Sequence, residues 1–167
     1  EGFFNFRQNH IKQAMWAGVA FVVGLFILLL DSRYYHMYAY YAYFIALIFT
    51  AGTIIMPEAI APVTNGAKAW YELGPVRIQP AEFAKYATLL CLAKFMSTYG
   101  FSLQSRRNLF LALCIVFLPA VIIIAQSETG SALVFVALML VLFREGMNGL
   151  VLVLGALCAL FFILVLR

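Results

Sequence analysis

Long apolar runs separated by short polar segments make up most of the chain. A helix that crosses a membrane needs about 20 mostly apolar residues, within a range of roughly 17–25. Runs of this kind predict helices over residues 14–30, 38–56, 80–96, 109–125, 131–143 and 149–166. Residues 57–79 form the longest polar segment, and their prolines, glycines and charges are typical of a loop. The pattern predicts an all-α, polytopic transmembrane helical bundle of about six helices in one domain, residues 1–167.

The apolar stretch over residues 109–143 is interrupted once, by the polar residues 126–131. It is too long for one span and just long enough for two short ones. We therefore predict a tight turn at residues 126–130 between two antiparallel helices. The basic residues divide evenly between the two sides of the predicted membrane, so their distribution alone leaves the orientation open.

Composition agrees with a membrane protein. Hydrophobic residues make up 65% of the 167 residues and charged residues 11%, with a mean hydropathy of +0.98. Soluble domains are about 45–50% apolar and about 25% charged. This excludes a water-soluble globule, a disordered tail and a nucleic-acid-binding module. The net charge of +4 comes from scattered residues, which argues against a nucleic-acid partner.

Neither a metal nor a cofactor is indicated. The three cysteines lie inside apolar runs, where small packing residues are expected, and the two histidines have no further ligands at metal-binding spacing. Phosphate-binding loops, dinucleotide fingerprints and nucleophile elbows are missing from the sequence. The chain opens with Glu1 and shows no signal peptide. We expect it to be a piece of a larger membrane protein.

Charged residues at membrane depth are costly and are candidates for function. Glu82 and Lys85 lie three positions apart on one predicted helix, so they share a face. Glu128 lies in the predicted tight turn, on the same side of the membrane. We expect Glu128 to pair with Lys85 in a polar cavity. Alternatively, Glu128 lies exposed among lipid headgroups, or the pair holds the helices in register without acting on a substrate.

The long loop offers further candidates. Lys68 and Arg77 suit anionic phosphates near the membrane surface, although a single Lys or Arg is often only a surface charge. Trp70 is equally suited to the membrane interface and to a substrate contact. Lys94, near the other end of its helix, is expected to snorkel. These residues fit a transporter, a lipid-handling enzyme or a membrane-embedded subunit.

Two motifs carry a family resemblance. The first runs from Gly66 to Lys85 and includes Trp70, Leu73-Gly74 and Gln79-Pro80-Ala81-Glu82. The second is Gln126-Ser127-Glu128-Thr129-Gly130-Ser131-Ala132-Leu133. Both closely resemble signatures of the SEDS family of bacterial cell-shape and division proteins, which includes RodA, FtsW and SpoVE. The second motif and Arg144-Glu145-Gly146 are more like the RodA branch.

The chain departs from the family pattern at four positions. Ala81 stands in place of Ser, Ser127 in place of Pro, and Glu128 in place of Asp, while Ala69 stands where a basic residue is common. Set against the ten-helix family layout, the chain resembles helices two to seven. The family's presumed catalytic Asp would follow Arg167. We therefore expect the fragment to be inactive alone.

The resemblance implies a glycosyltransferase that polymerises lipid II into peptidoglycan glycan strands during elongation. It implies a multi-pass protein of the bacterial inner (cytoplasmic) membrane, in contact with membrane lipids and a class B penicillin-binding protein. The loop and Glu128 would face outward. The alternatives are a lipid II flippase and a non-catalytic scaffold for the penicillin-binding protein. The residues expected to line the cavity or bind substrate are Lys68, Trp70, Arg77, Gln79, Glu82, Lys85 and Glu128.

Overall fold

The computed structural model of the chain describes residues 9–64, 66–74 and 76–165. This part of the chain is mostly helical, as predicted, with six helices and one antiparallel pair of short strands. The elements, in order, are α1 Asn9–Leu29, α2 Ser32–Ile55, β1 Tyr71–Leu73, β2 Val76–Ile78, α3 Pro80–Met96, α4 Arg106–Ala125, α5 Thr129–Arg144 and α6 Gly149–Val165. Two compact units are distinguished, Glu1–Met37 and Tyr38–Arg167.

The first unit contains α1 and the beginning of α2. Large apolar side chains of α1 are exposed on several sides, Phe21 and Leu28 among them. The turn after α1 is closed by the Tyr35 hydroxyl, which donates to the Ile27 carbonyl at 2.5 Å. Helix α2 begins at Ser32, six positions before the predicted start at residue 38. The intervening tyrosines and Arg33 are too polar for the membrane interior, but they contain no helix breaker.

The second unit has its main core between α3, α4, α5 and α6. The largest fully buried apolar side chains there are Leu92, Val116, Ile123, Phe135, Met139 and Leu142. A second contact joins α2 to α3 through small residues, Ala46, Ala84 and Ala87. Small side chains allow two helix backbones to approach closely. This packing fixes the C-terminal half of α2 beside the beginning of α3.

The loop at residues 57–79, predicted without strands, contains a β-hairpin. Tyr71 pairs with Ile78 and Leu73 with Val76. Gly74 has a φ of +64°, the left-handed conformation that glycine adopts at little cost. The backbone N–H of Glu72 donates to the Ile60 carbonyl at 2.9 Å. The hairpin is therefore attached to the chain that leaves α2.

A tight turn joins α4 to α5. Ser127 N–H donates to Ile124 O at 2.9 Å and Glu128 N–H to Ile123 O at 3.3 Å. These two bonds, with Ser127 at a φ of +62°, form a Schellman motif, which satisfies carbonyls at the helix end. The turn therefore places Glu128 directly before α5.

Two of the described helices, α2 and α4, are long and apolar enough to cross a membrane. Shorter apolar stretches occur in three other helices, over Gln13–Leu29, Gly130–Arg144 and Gly149–Cys158. Length and composition carry this assignment, and the crossing of the membrane by all six helices stays a prediction.

Candidate functional site

The beginning of α3 holds an ion pair. Pro80 is the first helical residue, and Glu82 in the first turn is favoured by the positive end of the helix dipole. The Lys85 ammonium lies 2.5 Å from Glu82 Oε1, so the two side chains share a face as their spacing predicts. The Lys85 side chain is 17% exposed and that of Glu82 is 47% exposed. The helix therefore presents a sheltered ammonium with its counter-ion on the more open side.

Glu128 is held by neutral donors. Its Oε1 accepts hydrogen bonds from Gln79 Nε2 and from Ser131 Oγ, the second at 3.0 Å. Gln79 immediately precedes α3, so this contact joins the beginnings of α3 and α5. Glu128 Oε2 is buried, and no residue in the described part of the chain donates a hydrogen bond to it. Since a buried polar atom left unpaired costs about 1–3 kcal/mol, this oxygen is suited to accept a hydrogen bond from a bound hydroxyl or amine.

The predicted ion pair between Lys85 and Glu128 was wrong. In the described part of the chain the two ion pairs are Lys85–Glu82 and Arg77–Glu72, and neither includes Glu128. The prediction assumed that the Glu128 carboxylate needed the nearest cation. Lys85 instead binds the carboxylate one turn away on its own helix, and an amide and a hydroxyl satisfy Oε1 of Glu128.

Lys68 caps a helix, a structural role that the sequence analysis did not consider. Its ammonium donates to Met56 O at 2.6 Å and to Ile54 O at 3.2 Å, at the C-terminal end of α2. A cation at this position satisfies carbonyls without a helical partner and opposes the negative end of the helix dipole. The Lys68 ammonium is therefore committed to α2, which weakens its candidacy as a phosphate ligand.

Arg77 lies on the outer surface of the hairpin. It stands directly opposite Glu72 in the strand register, and the two side chains form an ion pair at 2.9 Å. The Arg77 side chain is 64% exposed. An exposed pair of this kind contributes little to stability. Arg77 is therefore the candidate cation that is most accessible to a ligand outside the bundle.

Trp70 and Tyr71 lie where the loop enters the hairpin. Trp70 is half-buried. The Tyr71 hydroxyl donates to Phe49 O at 3.0 Å, and the two rings stack with their centroids 4.9 Å apart. Burial raises the pKa of Tyr71 above its usual value. Tyr71 therefore anchors the hairpin to α2 beside Trp70, a role that the sequence analysis missed.

A buried polar cluster beneath the turn was also missed. Thr50, Thr53 and Gln126 are 2% exposed or less and are hydrogen-bonded to one another. Two threonines three positions apart within an apolar helix were the available signal. Among the described residues no group of three or more His, Cys, Asp or Glu side chains is placed to hold a metal ion.

The geometry brings four of the seven candidates together. Gln79, Glu82, Lys85 and Glu128 lie at the beginnings of α3 and α5: Gln79 binds Glu128, and the Glu82–Lys85 ion pair follows within the first two turns of α3. The backbone N–H of Lys68 donates to Gln126 O at 3.1 Å, which joins the loop to the same turn. Such a site offers a cation for an anionic group and acceptors for hydroxyl groups.

Comparison with known proteins identifies the family. The chain is 33% identical over 120 residues to the peptidoglycan glycosyltransferase MrdB of Escherichia coli, an alignment that covers 71% of this chain and 31% of that protein. The crystal structure of the rod shape determining protein RodA of Thermus thermophilus matches 89% of this chain and 48% of that chain, with a TM-score of 0.78 and 25% identity.

A second solved structure describes how a peptidoglycan synthase complex coordinates polymerization and crosslinking. It matches 87% of this chain and 42% of that chain at 26% identity, with a TM-score of 0.75. The chain thus spans less than half of the length of each of these relatives. The family of FtsW, RodA and SpoVE, described as cell cycle proteins, matches residues 3–167. The chain belongs to the FtsW/RodA/SpoVE family.

Proposed function

We propose that this chain is part of a RodA-like peptidoglycan glycosyltransferase that polymerises lipid II during cell elongation. The reaction class is supported by the name of the relative MrdB. The observation that carries the proposal is the joined beginning of α3 and α5, where Gln79 binds Glu128 one turn from the Glu82–Lys85 pair. The ammonium of Lys85 suits a pyrophosphate, and the carboxylates of Glu82 and Glu128 suit sugar hydroxyls.

The reaction joins two lipid-linked disaccharides. The 4-hydroxyl of one attacks the anomeric carbon of the other, the bond from that carbon to undecaprenyl pyrophosphate breaks, and the hydroxyl proton passes to a base. The Lys85 ammonium would stabilise the charge that develops on the leaving pyrophosphate. The unpaired oxygen of Glu128 would accept a hydrogen bond from a sugar hydroxyl, and Trp70 would cover the sugar or the polyprenyl chain. These residues bind and orient the substrate.

The proposal includes a multi-pass position in the bacterial cytoplasmic membrane. Two helices with the length and composition of membrane spans support it, together with apolar stretches in three others. Six crossings would bring the hairpin, Arg77 and the beginnings of α3 and α5 to one side of the membrane, and the family resemblance assigns that side to the outside. A class B penicillin-binding protein is the proposed partner, supported by the similarity to a chain of a peptidoglycan synthase complex.

The test is polymerisation of lipid II by the intact protein in proteoliposomes. Lys85→Ala is compared with Lys94→Ala, which removes the same charge from the same helix at a position where the ammonium lies 4.4 Å from the centre of the Tyr40 ring. We expect Lys85→Ala to reduce the rate of glycan synthesis by about a hundredfold, as loss of one transition-state donor does. Lys94→Ala should keep the wild-type rate within about twofold, since this half-buried lysine lies in the last turn of α3, at the opposite end of the helix from the site.

Full activity of Lys85→Ala would reject the assignment of the site. Transfer of lipid II across the bilayer without polymer would identify a flippase. Partner binding that depends on this chain, with no polymer formed by the pair, would identify a scaffold.

A further inference from the structure

We propose that Gln126 is a positioning residue: its buried side-chain amide ties the α4–α5 turn to α2 and thereby sets the position of the Glu128 carboxylate. The inference rests on the proposed function, because Glu128 is placed there in the substrate site. It assigns a role to Gln126, the first residue of the second motif. Gln126 is not among the residues proposed above to bind the substrate.

The side-chain amide of Gln126 uses both of its hydrogens on α2. Nε2 donates to Thr50 O and to Thr53 Oγ1, each at 2.6 Å. The Thr53 hydroxyl donates its own hydrogen to Thr50 O at 3.0 Å. Its oxygen can therefore accept a hydrogen bond from Gln126 Nε2. All three residues are buried, and hydrogen bonds shielded from water are stronger than exposed ones. The contact between the turn and α2 therefore runs through Nε2 of Gln126, while Oε1 of the same amide is buried and accepts no hydrogen bond from the described residues.

The backbone of Gln126 fixes the turn from two further sides. Its N–H donates to Ile122 O and Ile123 O at 3.2 Å, and its carbonyl accepts from the N–H of Lys68 at 3.1 Å. Two residues later Glu128 meets Gln79 and Ser131. A displacement of the turn from α2 would therefore move Glu128 relative to Gln79 and the beginning of α3.

The three replacements nearest to glutamine in size and shape each fail one of these requirements. Leucine has a similar volume but no donor, so the bonds from Gln126 to Thr50 O and Thr53 Oγ1 would be lost, while the Thr53–Thr50 bond within α2 would remain. Glutamate would place a carboxylate oxygen, negatively charged at neutral pH, next to the carbonyl oxygen of Thr50, and two acceptors repel each other. Asparagine is one methylene shorter. Since truncating one partner of a buried hydrogen bond costs about 1–3 kcal/mol, Gln126→Leu should weaken the tie without removing apolar packing.

The experiment compares Gln126→Leu, Thr53→Val, Thr53→Ser and the double variant Gln126→Leu/Thr53→Val in the intact protein in proteoliposomes. Gln104→Leu serves as the matched control, because Gln104 lies exposed between α3 and α4. Two quantities are measured for the folded fraction: the kcat and KM for lipid II, and the rate of amide hydrogen exchange in the peptide covering residues 123–133. The second does not depend on activity.

We expect Gln126→Leu to lower kcat/KM for lipid II by about tenfold, because a displaced Glu128 binds and orients the sugar hydroxyl less well. Exchange in residues 127–131 should quicken by about tenfold, since a loosened turn opens more often. Thr53→Val should show a smaller effect, Thr53→Ser should match the wild type, and the double variant should be no worse than Gln126→Leu. Gln104→Leu should match the wild type in both measurements.

Three results would overturn the inference. Exchange could stay unchanged in Gln126→Leu, which would mean that the amide does not hold the turn. Alternatively, exchange could quicken while kcat/KM stays normal, which would mean that the position of the turn does not matter to the reaction. Finally, Thr53→Ser could fail as Thr53→Val does, which would deny a role to the hydroxyl. A wild-type protein that forms no polymer would instead defeat the proposed function, while the exchange rates would still decide whether Gln126 holds the turn.

Discussion

The ammonium of Lys68 lies 2.6 Å from the carbonyl oxygen of Met56, just beyond the last residue of α2. A second bond, to Ile54 O, makes Lys68 the cap of that helix. The same residue donates its backbone N–H to Gln126 O. Lys68 therefore connects the loop to α2 through its side chain and to the turn before α5 through its backbone. Loss of the side-chain bonds should lower the stability of the fold.

Replacing Lys68 by Met keeps most of the aliphatic stem and removes the charge. We expect the free energy of unfolding in detergent to fall by about 1–2 kcal/mol, from two hydrogen bonds in a partly exposed position and one favourable contact with the helix dipole. Thermal unfolding measures this. Arg107→Met, which removes an exposed cation at the beginning of α4, should leave the midpoint unchanged or raise it slightly, because a cation there faces the positive end of the helix dipole. A midpoint for Lys68→Met equal to that of Arg107→Met would show that the ammonium does not cap α2.

Helices could be predicted from the sequence because each apolar run is longer than any strand of an ordinary domain. The hairpin could not, since each strand has three residues and shows no readable alternation. The start of α2 at Ser32 differs from the predicted start at residue 38 for a different reason. Hydropathy reports which residues tolerate lipid, whereas Ser32 to Met37 are helical without being apolar.

Local contacts of the site were predictable and distant ones were not. The spacing of Glu82 and Lys85 fixes a shared helix face, and in the structure the two side chains on that face form an ion pair. The partner of Glu128 depends on how α3 and α5 meet, which no spacing in the sequence specifies. Gln79 and Ser131 are neutral, and charge counting gives them no weight as partners of Glu128.

Ser127 occupies a left-handed position that usually favours glycine. A non-glycine residue there costs about 1 kcal/mol. Ser127→Gly should therefore raise the free energy of unfolding by up to about 1 kcal/mol. Ser127→Pro should lower it by about 3 kcal/mol or more, because proline cannot adopt a φ of +62° and has no N–H for Ile124 O. Chemical denaturation in detergent would measure both.

The turn after α5 offers the matched comparison. Gly146 has a φ of +103° and donates to Phe143 O, while Met147 donates to Leu142 O, the same pair of bonds as at Ser127. Gly146→Ala should destabilise where Ser127→Gly stabilises. Equal and small effects at both positions would mean that the left-handed conformation at Ser127 carries no strain.

Gly52 and Tyr71 should show strong coupling. A Cβ atom at Gly52 would lie 2.5 Å from the Tyr71 hydroxyl oxygen. Gly52→Ala should therefore cost about 1–3 kcal/mol through overpacking. In a Tyr71→Phe background the obstructing oxygen is gone, and the same change should stabilise α2 by up to about 1 kcal/mol through helix propensity. A double-mutant cycle of unfolding free energies measures the coupling, and additive effects would contradict the close approach.

Tyr71 also predicts a dependence of stability on alkaline pH. Burial raises the pKa of its hydroxyl in the folded protein, while the unfolded chain titrates near about 10. Below that pH both states keep the proton, and the contribution of Tyr71 to stability is complete. Above it the unfolded state loses the proton first, so the free energy of unfolding falls as pH rises, by at most about 1.4 kcal/mol per unit.

Unfolding midpoints between about pH 9 and pH 11 should therefore fall less steeply for Tyr71→Phe than for the wild type. Tyr99→Phe, which alters a fully exposed tyrosine, should keep the wild-type slope, and an unchanged slope in Tyr71→Phe would show that the buried hydroxyl does not govern this response.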